Sequence, residues 1–517
     1  MRRSLIAAAS AVALAFGAVT AAPASAHDSK DGRGYGHHES RSAQKLTRAV
    51  TVRGIMKHQR AFQRIADAND DNRASGLPGY DASVDYVSKK LRRAGYDVTV
   101  QPFTFSFFRE LAPAELEQLS PTPTDYETGT FDYSGGGEVT GTVVPIDVQV
   151  PAPAEPGVTS GCEAEDFDPA PAEDAVALVQ RGSCNFSVKT DNAAAAGYDA
   201  VIIFNEGQPG RDGLVVGTLG APASIPVVGL SYADGAALVE QAEAGDVTVR
   251  VSTEVEVDPE RTTYNVIADL PAKKGHHKGS GKGKGKGWGH GPANPDEVVV
   301  VGAHLDSVAA GPGINDNGSG SSTILEIAEE MADLKLTKKL VRPVRFAFWG
   351  AEEAGLLGSE YYVANLSDEE KDAIYANLNF DMLGSPNYVR FVYDGDGSDT
   401  PEAGPEGSAQ IEQIFTDYFD GEGLASEPTA FDGRSDYGPF IAEGIPAGGL
   451  FSGAEGVKTE EQADEYGGTA GEPYDPCYHQ ACDTIDNLSA DALDELGDAA
   501  AHAVATLTTS KEGLGTS

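Results

Sequence analysis

No stretch restricts what this chain can fold into more than Val298 to Ser322. Four consecutive valines, followed by Gly302 and Ala303, suit a strand buried on both faces, as in a parallel sheet covered by helices on each side. The run ends at His304, with Asp306 two residues on. Ligands in open α/β sheets gather beyond the carboxyl ends of strands, so a histidine here falls where chemistry is expected. Asp306 is placed to accept a hydrogen bond from His304 and to fix which ring nitrogen faces a metal. Asp316 follows in a glycine-rich turn, after which Ile324, Leu325, Ile327, Ala328, Met331 and Leu334 recur at helical spacing. His304 and Asp316 therefore flank one strand-to-helix crevice. Taken alone, the two residues also suit a packed histidine and a turn or capping aspartate, and the rest of the chain has to decide.

At 517 residues the chain exceeds one ordinary core, and two domains are the expectation. Arg2 and Arg3 precede an apolar run from Leu5 to Val19, and Ala24-Ser25-Ala26 is a small-residue cleavage site, so residues 1–26 read as a secretory signal peptide. No later stretch approaches the roughly 18 apolar residues needed to span a bilayer. An exported, extracellular protein without a membrane anchor is expected. Four cysteines fit an oxidising compartment. Their spacing favours two local pairs, Cys162 with Cys184 and Cys477 with Cys482; a zinc site built from all four is the alternative, weakened because they do not form two close-spaced pairs. The net charge of −42 argues against nucleic acid as a partner.

Residues 27–44, rich in Gly, His, Ser and charge, read as a disordered leader. Helical patterns follow over Leu46–Ala68 and Ala82–Ala94, separated by a turn-rich loop, and Tyr96–Phe108 alternates as a strand. Pro, Thr and Gly accumulate from Ala112 to Gly137, which reads as a connection into another module. Residues 126–257 show short strands, one helix near Ser187–Ala196 and no catalytic spacing of ionisable side chains, so they read as a structural or recognition insert. A strand at Thr262–Leu270 is expected to pair with Glu297–Gly302. Between them, residues 271–296 form a Gly-Lys tract with His276, His277 and His290, read as a solvated loop, with contact to a polyanion or incidental metal capture as alternatives. Strands at Val344–Trp349 and Ile374–Phe380 alternate with helices near Leu356–Tyr361, Ile411–Phe419 and Leu493–Leu507. The alternation predicts an α/β domain: a doubly wound, mostly parallel sheet with helices on both faces.

Of ten histidines, six lie in tracts expected to lack structure. His58 and His502 fall on helices and read as packed or surface residues. His304 and His479 are left for a site, beside the carboxylates Asp316, Glu352, Glu353 and Asp381. Two imidazoles with several carboxylates suit divalent zinc, with manganese or cobalt as substitutes. The set over-supplies one ion; two metals about 3.5–4 Å apart need a bridging carboxylate and two ligand sets. Adjacent Glu352 and Glu353 cannot point the same way from an extended segment, so one can ligate while the other handles protons. Such a pair alone also suits a solvated turn.

The segments Gly-Ala-His304-Leu-Asp306-Ser, Gly-Ile-Asn-Asp316-Asn-Gly, Trp349-Gly-Ala-Glu352-Glu353-Ala-Gly, Asn379-Phe-Asp381-Met-Leu-Gly and Cys477-Tyr478-His479-Gln-Ala-Cys482-Asp together resemble the M28 family of secreted di-zinc aminopeptidases, and the streptomycete leucine-type members most. The resemblance covers roughly residues 45–110 and 258–510. The insert, through Cys162, Gln180-Arg-Gly-Ser-Cys184 and Ile-Pro226-Val-Val, resembles a protease-associated (PA) domain. The resemblance implies a zinc exopeptidase fold with a small β-rich insert. It implies that His304 and Asp381 hold one zinc ion (Zn2+), Glu353 and His479 the other, with Asp316 bridging. Glu352 would be the general base, and Tyr478 would donate to the oxyanion. Arg434 matches a substrate-side loop, with a surface ion pair as the alternative. Some relatives carry a calcium ion (Ca2+) near the last helix, where Asp494 and Asp498 occupy comparable positions.

The domain organisation expected is therefore a signal peptide (1–26), a leader (27–44), peptidase segments at 45–125 and 258–517, and the PA insert at 126–257. A monomer is expected that removes large hydrophobic residues, leucine above all, from peptides with a free N-terminus. The rivals are a carboxypeptidase or a glutaminyl cyclase on the same scaffold, and a non-catalytic binding protein that keeps the fold.

Overall fold

The computed structural model describes residues 41–169, 171, 174–270, 294, 296–511 and 514. The expected signal peptide, the leader up to residue 40 and nearly all of the Gly-Lys tract lie outside them. Three helices come first, α1 (Arg41–Thr47), α2 (Val52–Asp67) and α3 (Pro78–Ala94), then the strands β1 (Asp97–Ser120) and β2 (Thr124–Tyr126). Next come β3 (Gly137–Pro145), β4 (Ala175–Gln180), α4 (Phe186–Ala196), β5 (Ala200–Phe204), β6 (Val227–Leu230), α5 (Tyr232–Ala244) and β7 (Thr248–Asp269). The remainder holds β8 (Val298–His304), α6 (Gly318–Asp333), β9 (Val344–Trp349), α7 (Leu357–Ala364), α8 (Asp368–Asp372), β10 (Ile374–Phe380) and β11 (Phe391–Tyr393). It ends with α9 (Ser408–Glu422), β12 (Glu427–Thr429), α10 (Gly438–Ala442), β13 (Ala447–Phe451), α11 (Glu460–Tyr466) and α12 (Ala490–Thr509). Among the described residues no helix is long and apolar enough to cross a membrane.

The strands share one mixed sheet in the order β12-β11-β13-β10-β8-β9-β7-β3-β4-β5-β6, with β1 on β7 and β2 on β1. β13, β10, β8 and β9 run parallel, and β7 joins them antiparallel through β9. The valines of β8 divide between its two faces. Val299, Val301 and Ala303 pack in the core shared with α2, α3, α6 and α12, whereas Val300 joins the opposite core with Trp349, Tyr362 and Phe440. Both faces are covered, which is why the strand can be apolar throughout. Gly302 is needed because a Cβ there would stand 2.7 Å from the Trp349 indole nitrogen.

Several expectations need correction. The helix read over Leu46–Ala68 is two, broken before Thr51, whose hydroxyl caps α2 by accepting from the Gly54 N–H. α1 begins at Arg41, inside the stretch expected to be disordered, because Ala43 and Leu46 are buried in the core that α12 also lines. The expected connection at Ala112–Gly137 starts as sheet. β1 runs unbroken to Ser120, paired along its length with β7 and with bulges that let the ribbon bend. This ribbon serves both halves of the molecule: β7 pairs with β9 over Val266–Asp269 and with β3 over Thr248–Thr253. The insert holds a second helix, α5, capped by Ser231 and anchored by buried Leu238 and Val239. Finally, β7 does not pair with β8; β9 lies between them, because β8 takes parallel neighbours on both sides.

Candidate metal centre

The parallel strands deliver the predicted residues to one edge. β8 ends at His304, β9 leads into Gly350-Ala-Glu352-Glu353, and β10 leads into Asp381. The next two strands in sequence, β9 and β10, fall on opposite sides of β8, so the carboxyl ends open a crevice at the point where the winding reverses. Asp316 enters from the loop before α6. Asn317 caps that helix with Oδ1 on the Gly320 N–H, and its amide donates to the Phe380 carbonyl, which ties the loop to the β10 end. Tyr478 and His479 arrive on a loop closed by Cys477–Cys482; the second disulfide, Cys162–Cys184, lies in the insert.

The geometry separates two halves. His304 Nε2 lies 3.2 Å from Asp316 Oδ1 and 3.3 Å from Asp381 Oδ1. His479 Nε2 lies 3.3 Å from Asp316 Oδ2 and 3.0 Å from Glu353 Oε2. The two oxygens of Asp316 thus face different histidines. Glu352 Oε2 is 3.7 Å from His304 Nε2. The open crevice, of about 380 Å³, is also lined by apolar Leu356, Met382, Ala430, Phe451 and Ala454. Ala351, Leu356, Met382 and His479 have positive φ (53°, 65°, 52° and 56°). For non-glycine residues this is backbone held against its preference, and here it flanks the candidate ligand positions.

Electrostatics fit a cation. Burial raises Glu352 well above the carboxylate range; His304 opposes this, and Asp381, Asp436 and Glu353 add to it. Burial, then Asp316, lifts Glu353 to about 7. Burial works against charge on His479, but Asp316 and Glu353 outweigh it and hold the imidazole at about 10. Asp316 falls well below its ordinary value in spite of burial, because both histidines bond to it. Glu353 Oε1 is buried with no hydrogen-bond partner. Four carboxylates converging on two imidazoles, with an orphaned oxygen among them, form a donor set that divalent metal satisfies.

Asp306, buried beside His304, stands 3.5 Å from its Nδ1, and also receives the Glu352 N–H at 3.4 Å. Asp306→Asn is expected to weaken zinc binding by about 10- to 100-fold, as loss of a carboxylate behind a ligating histidine does. Competition against a chromogenic chelator measures it, and an unchanged affinity would show that Asp306 does not orient the ring.

Tyr478 stacks on His479 with ring centroids 3.9 Å apart, and its hydroxyl accepts from Arg434 Nη2 at 3.1 Å. Arg434 also pairs with Glu455 at 2.8 Å, so the ion pair and the cleft position coexist. Asp494 and Asp498 stand a turn apart on α12; burial, then Asp494 and Glu422, pushes Asp498 up to about 7. Among the described residues they are not part of a trio of converging ligand atoms. His58 is packed, as its helix position implies, on Tyr86 Oη at 2.7 Å and Glu326 Oε2 at 3.2 Å. Lys57 and Lys90 pair with neighbouring Glu329 and supply that cluster's positive charge. His502 lies against Tyr418, with ring centroids 4.9 Å apart and the planes tilted by 37°.

Sequence reasoning missed the residues that hold the candidate ligands in place. Ser435 donates to Asp381 Oδ2 at 2.5 Å and accepts from Asn379 at 2.7 Å. Arg73, fully buried, donates to the carbonyls of Leu305, Pro312 and Gly313, pinning the chain between His304 and Asp316. Ser435 adjoins Arg434, and that neighbour is its signal in the sequence. Arg73 lies in a turn-rich loop more than 200 residues upstream, with no local signal.

Comparison with known proteins shows the family. Peptidase family M28 matches residues 289–504, and the PA domain matches 139–238. An aminopeptidase of Pseudomonas aeruginosa is 48% identical over 473 residues, 90% of this chain and 82% of its own length. A probable leucine aminopeptidase 2 of Aspergillus oryzae is 41% identical, over 84% of this chain and 80% of its own. Among solved structures, an aminopeptidase from Aneurinibacillus sp. strain AM-1 superposes with a TM-score of 0.66 at 26% identity, covering 91% of this chain and 97% of that one. A zinc aminopeptidase from Bacillus subtilis gives 0.59 at 25%, covering 89% and 96%. The chain belongs to peptidase family M28 and carries a PA domain, and it is a hydrolase of peptide bonds.

Proposed function

We propose that this is an exported zinc aminopeptidase that removes large hydrophobic residues from the N-termini of peptides, with two zinc ions shared across Asp316. The observation that carries the reading is the carboxylate of Asp316, turned with one oxygen to His304 and the other to His479. His304 and Asp381 would complete one ion's ligands, Glu353 and His479 the other's. Zinc held there supplies Lewis acidity toward water and toward the scissile carbonyl. Glu352 takes the proton from the attacking water and passes it to the departing amine. Tyr478 directs its hydroxyl hydrogen at the carbonyl oxygen, since Arg434 already occupies an acceptor site on the phenol. The apolar wall of Leu356, Met382 and Phe451 receives the side chain to be removed.

The crevice charge favours the amino end. Arg434 is the Lys or Arg that lines it among the described residues, and Glu455 engages it, so no basic side chain there stands free to hold a terminal carboxylate. Export is supported by the Arg2-to-Ala26 pattern and by the two disulfides.

Two measurements test the reading. Removing metal with a chelator should abolish hydrolysis of leucyl anilide, and adding zinc back should restore it. N-acetylated peptides should be refused and C-terminally amidated ones accepted. Full activity after metal removal, or cleavage of the acetylated peptide from its carboxyl end, would sink it.

A further inference from the structure

Asn315, beside the expected bridge, has no exposed surface. Its N–H donates to Asp483 Oδ1 at 2.8 Å, and its side-chain amide donates to Asp475 Oδ2 at 2.6 Å and to Ser385 Oγ at 3.0 Å. Its Oδ1 accepts from the Gly384 N–H at 3.0 Å. Asp483 uses its other oxygen to accept the N–H of Asp316 itself at 2.9 Å. Asp475 accepts the Cys477 N–H and the Asn487 amide with Oδ1, both at 2.8 Å, and Asn487 also reaches Asp483 at 3.3 Å. Asp475 and Asp483 are 1% and 2% exposed, so these bonds are what satisfies two carboxylates taken out of water.

Three segments meet at this one side chain. Gly384 and Ser385 continue from Asp381; Asp475 and Asp483 stand on either side of the disulfide loop that bears Tyr478 and His479; and Asn315 carries Asp316 at its own carboxyl end. An amide is what the place requires, because the same group must donate toward Asp475 and accept from Gly384. An aspartate would set two carboxylates face to face, and an apolar residue would strand buried partners on every side. The consequence is geometric. His479 meets the Asp316 carboxylate across 3.3 Å, and a site of this kind loses function when its supports shift by about 1 Å.

We propose that Asn315, acting with Asp475 and Asp483, is a positioning residue that fixes Asp316 against the Tyr478–His479 loop and so determines how firmly metal is held on the His479 side. This rests on the zinc peptidase reading, but it is tested without turnover. In the purified zinc-loaded protein, Asn315→Asp should release zinc to a chromogenic chelator at least about tenfold faster than wild type, with kcat lowered by about 10- to 100-fold and KM changed less. The reciprocal exchange Asn315→Asp with Asp475→Asn reverses donor and acceptor across the 2.6 Å bond. It should recover most of both losses, which loosened packing alone would not. Should Asn315→Asp fail to fold, Asp483→Asn carries the same release assay with the same tenfold expectation. Release within twofold of wild type, or an exchange no better than Asn315→Asp alone, overturns the proposal. Inactivity of the zinc-loaded wild type on leucyl anilide would count against the peptidase reading and leave the release rates to judge the brace.

Discussion

Glu352→Gln lowers kcat by about 10²- to 10⁴-fold, leaves KM within a few-fold and leaves the zinc content unchanged. The expectation follows from what Glu352 touches. It lies 3.7 Å from His304 and projects into the crevice, with the orphaned Glu353 oxygen next along the chain. Burial, reinforced by Asp381, Asp436 and Glu353, makes its proton affinity high for a carboxylate. From that place it can accept a proton from water and surrender it to the departing amine. Glutamine keeps the shape and cannot carry the proton, so binding survives and turnover does not. Glu353→Gln is the contrasting variant, since loss of a ligand should appear first as lost metal. A Glu352→Gln enzyme with turnover within tenfold of wild type, or one that has shed its zinc, would exchange the roles of the two residues.

Chain-local physics made much of this legible. Val298–Val301 announced a strand covered on both faces, and strands ending in His304, Asp381 and the Glu352-Glu353 turn pointed to one edge of a parallel sheet. What stayed hidden depends on distant partners. Nothing in Ala112–Ser120 shows that β7 will lie beside it for its whole length, because Pro113 and the Pro-, Thr- and Gly-rich stretch that follows read as a connection until a pairing strand absorbs the irregularities with bulges. Nor does the pattern of Thr262–Leu270 reveal that β9 intervenes before β8, since order within a sheet is set by crossovers. In the site, the candidate ligands were legible because their residue types are rare and chemically marked. Their supports, Arg73, Asn315, Ser435 and Asp483, are ordinary polar residues whose meaning comes from burial and from one another. The PA insert follows the same logic. Its strands were visible as apolar runs, but α5 was not, since Gly235 in its first turns weakens the helical pattern and is required there by the Phe204 ring, 2.2 Å from where a Cβ would lie.

Asp316→Asn is expected to cost activity and metal together: activity below about one thousandth of wild type, and zinc content falling from two ions per chain toward one or none. The carboxylate is the group that faces both histidines, Oδ1 at 3.2 Å and Oδ2 at 3.3 Å. Asparagine keeps one oxygen and turns a donor toward the other side, so one half of the centre faces an N–H where it needs a lone pair. The fold should persist. The Asp316 N–H still reaches Asp483, Asn317 still caps α6, and Arg73 still holds the preceding carbonyls; circular dichroism and the melting of the metal-free protein check this. Metal analysis separates the possibilities that activity alone would merge. Retention of two tightly held zinc ions by Asp316→Asn would show that the histidine pairs bind independently and that Asp316 is no bridge. A single retained ion, bound on the His304 or the His479 side, would show which half stands without the shared oxygen. The His304 side is expected to be the survivor, because His304 is 1% exposed and Ser435 fixes its companion Asp381, whereas His479 sits on an exposed loop whose position is set through the Asp316 segment.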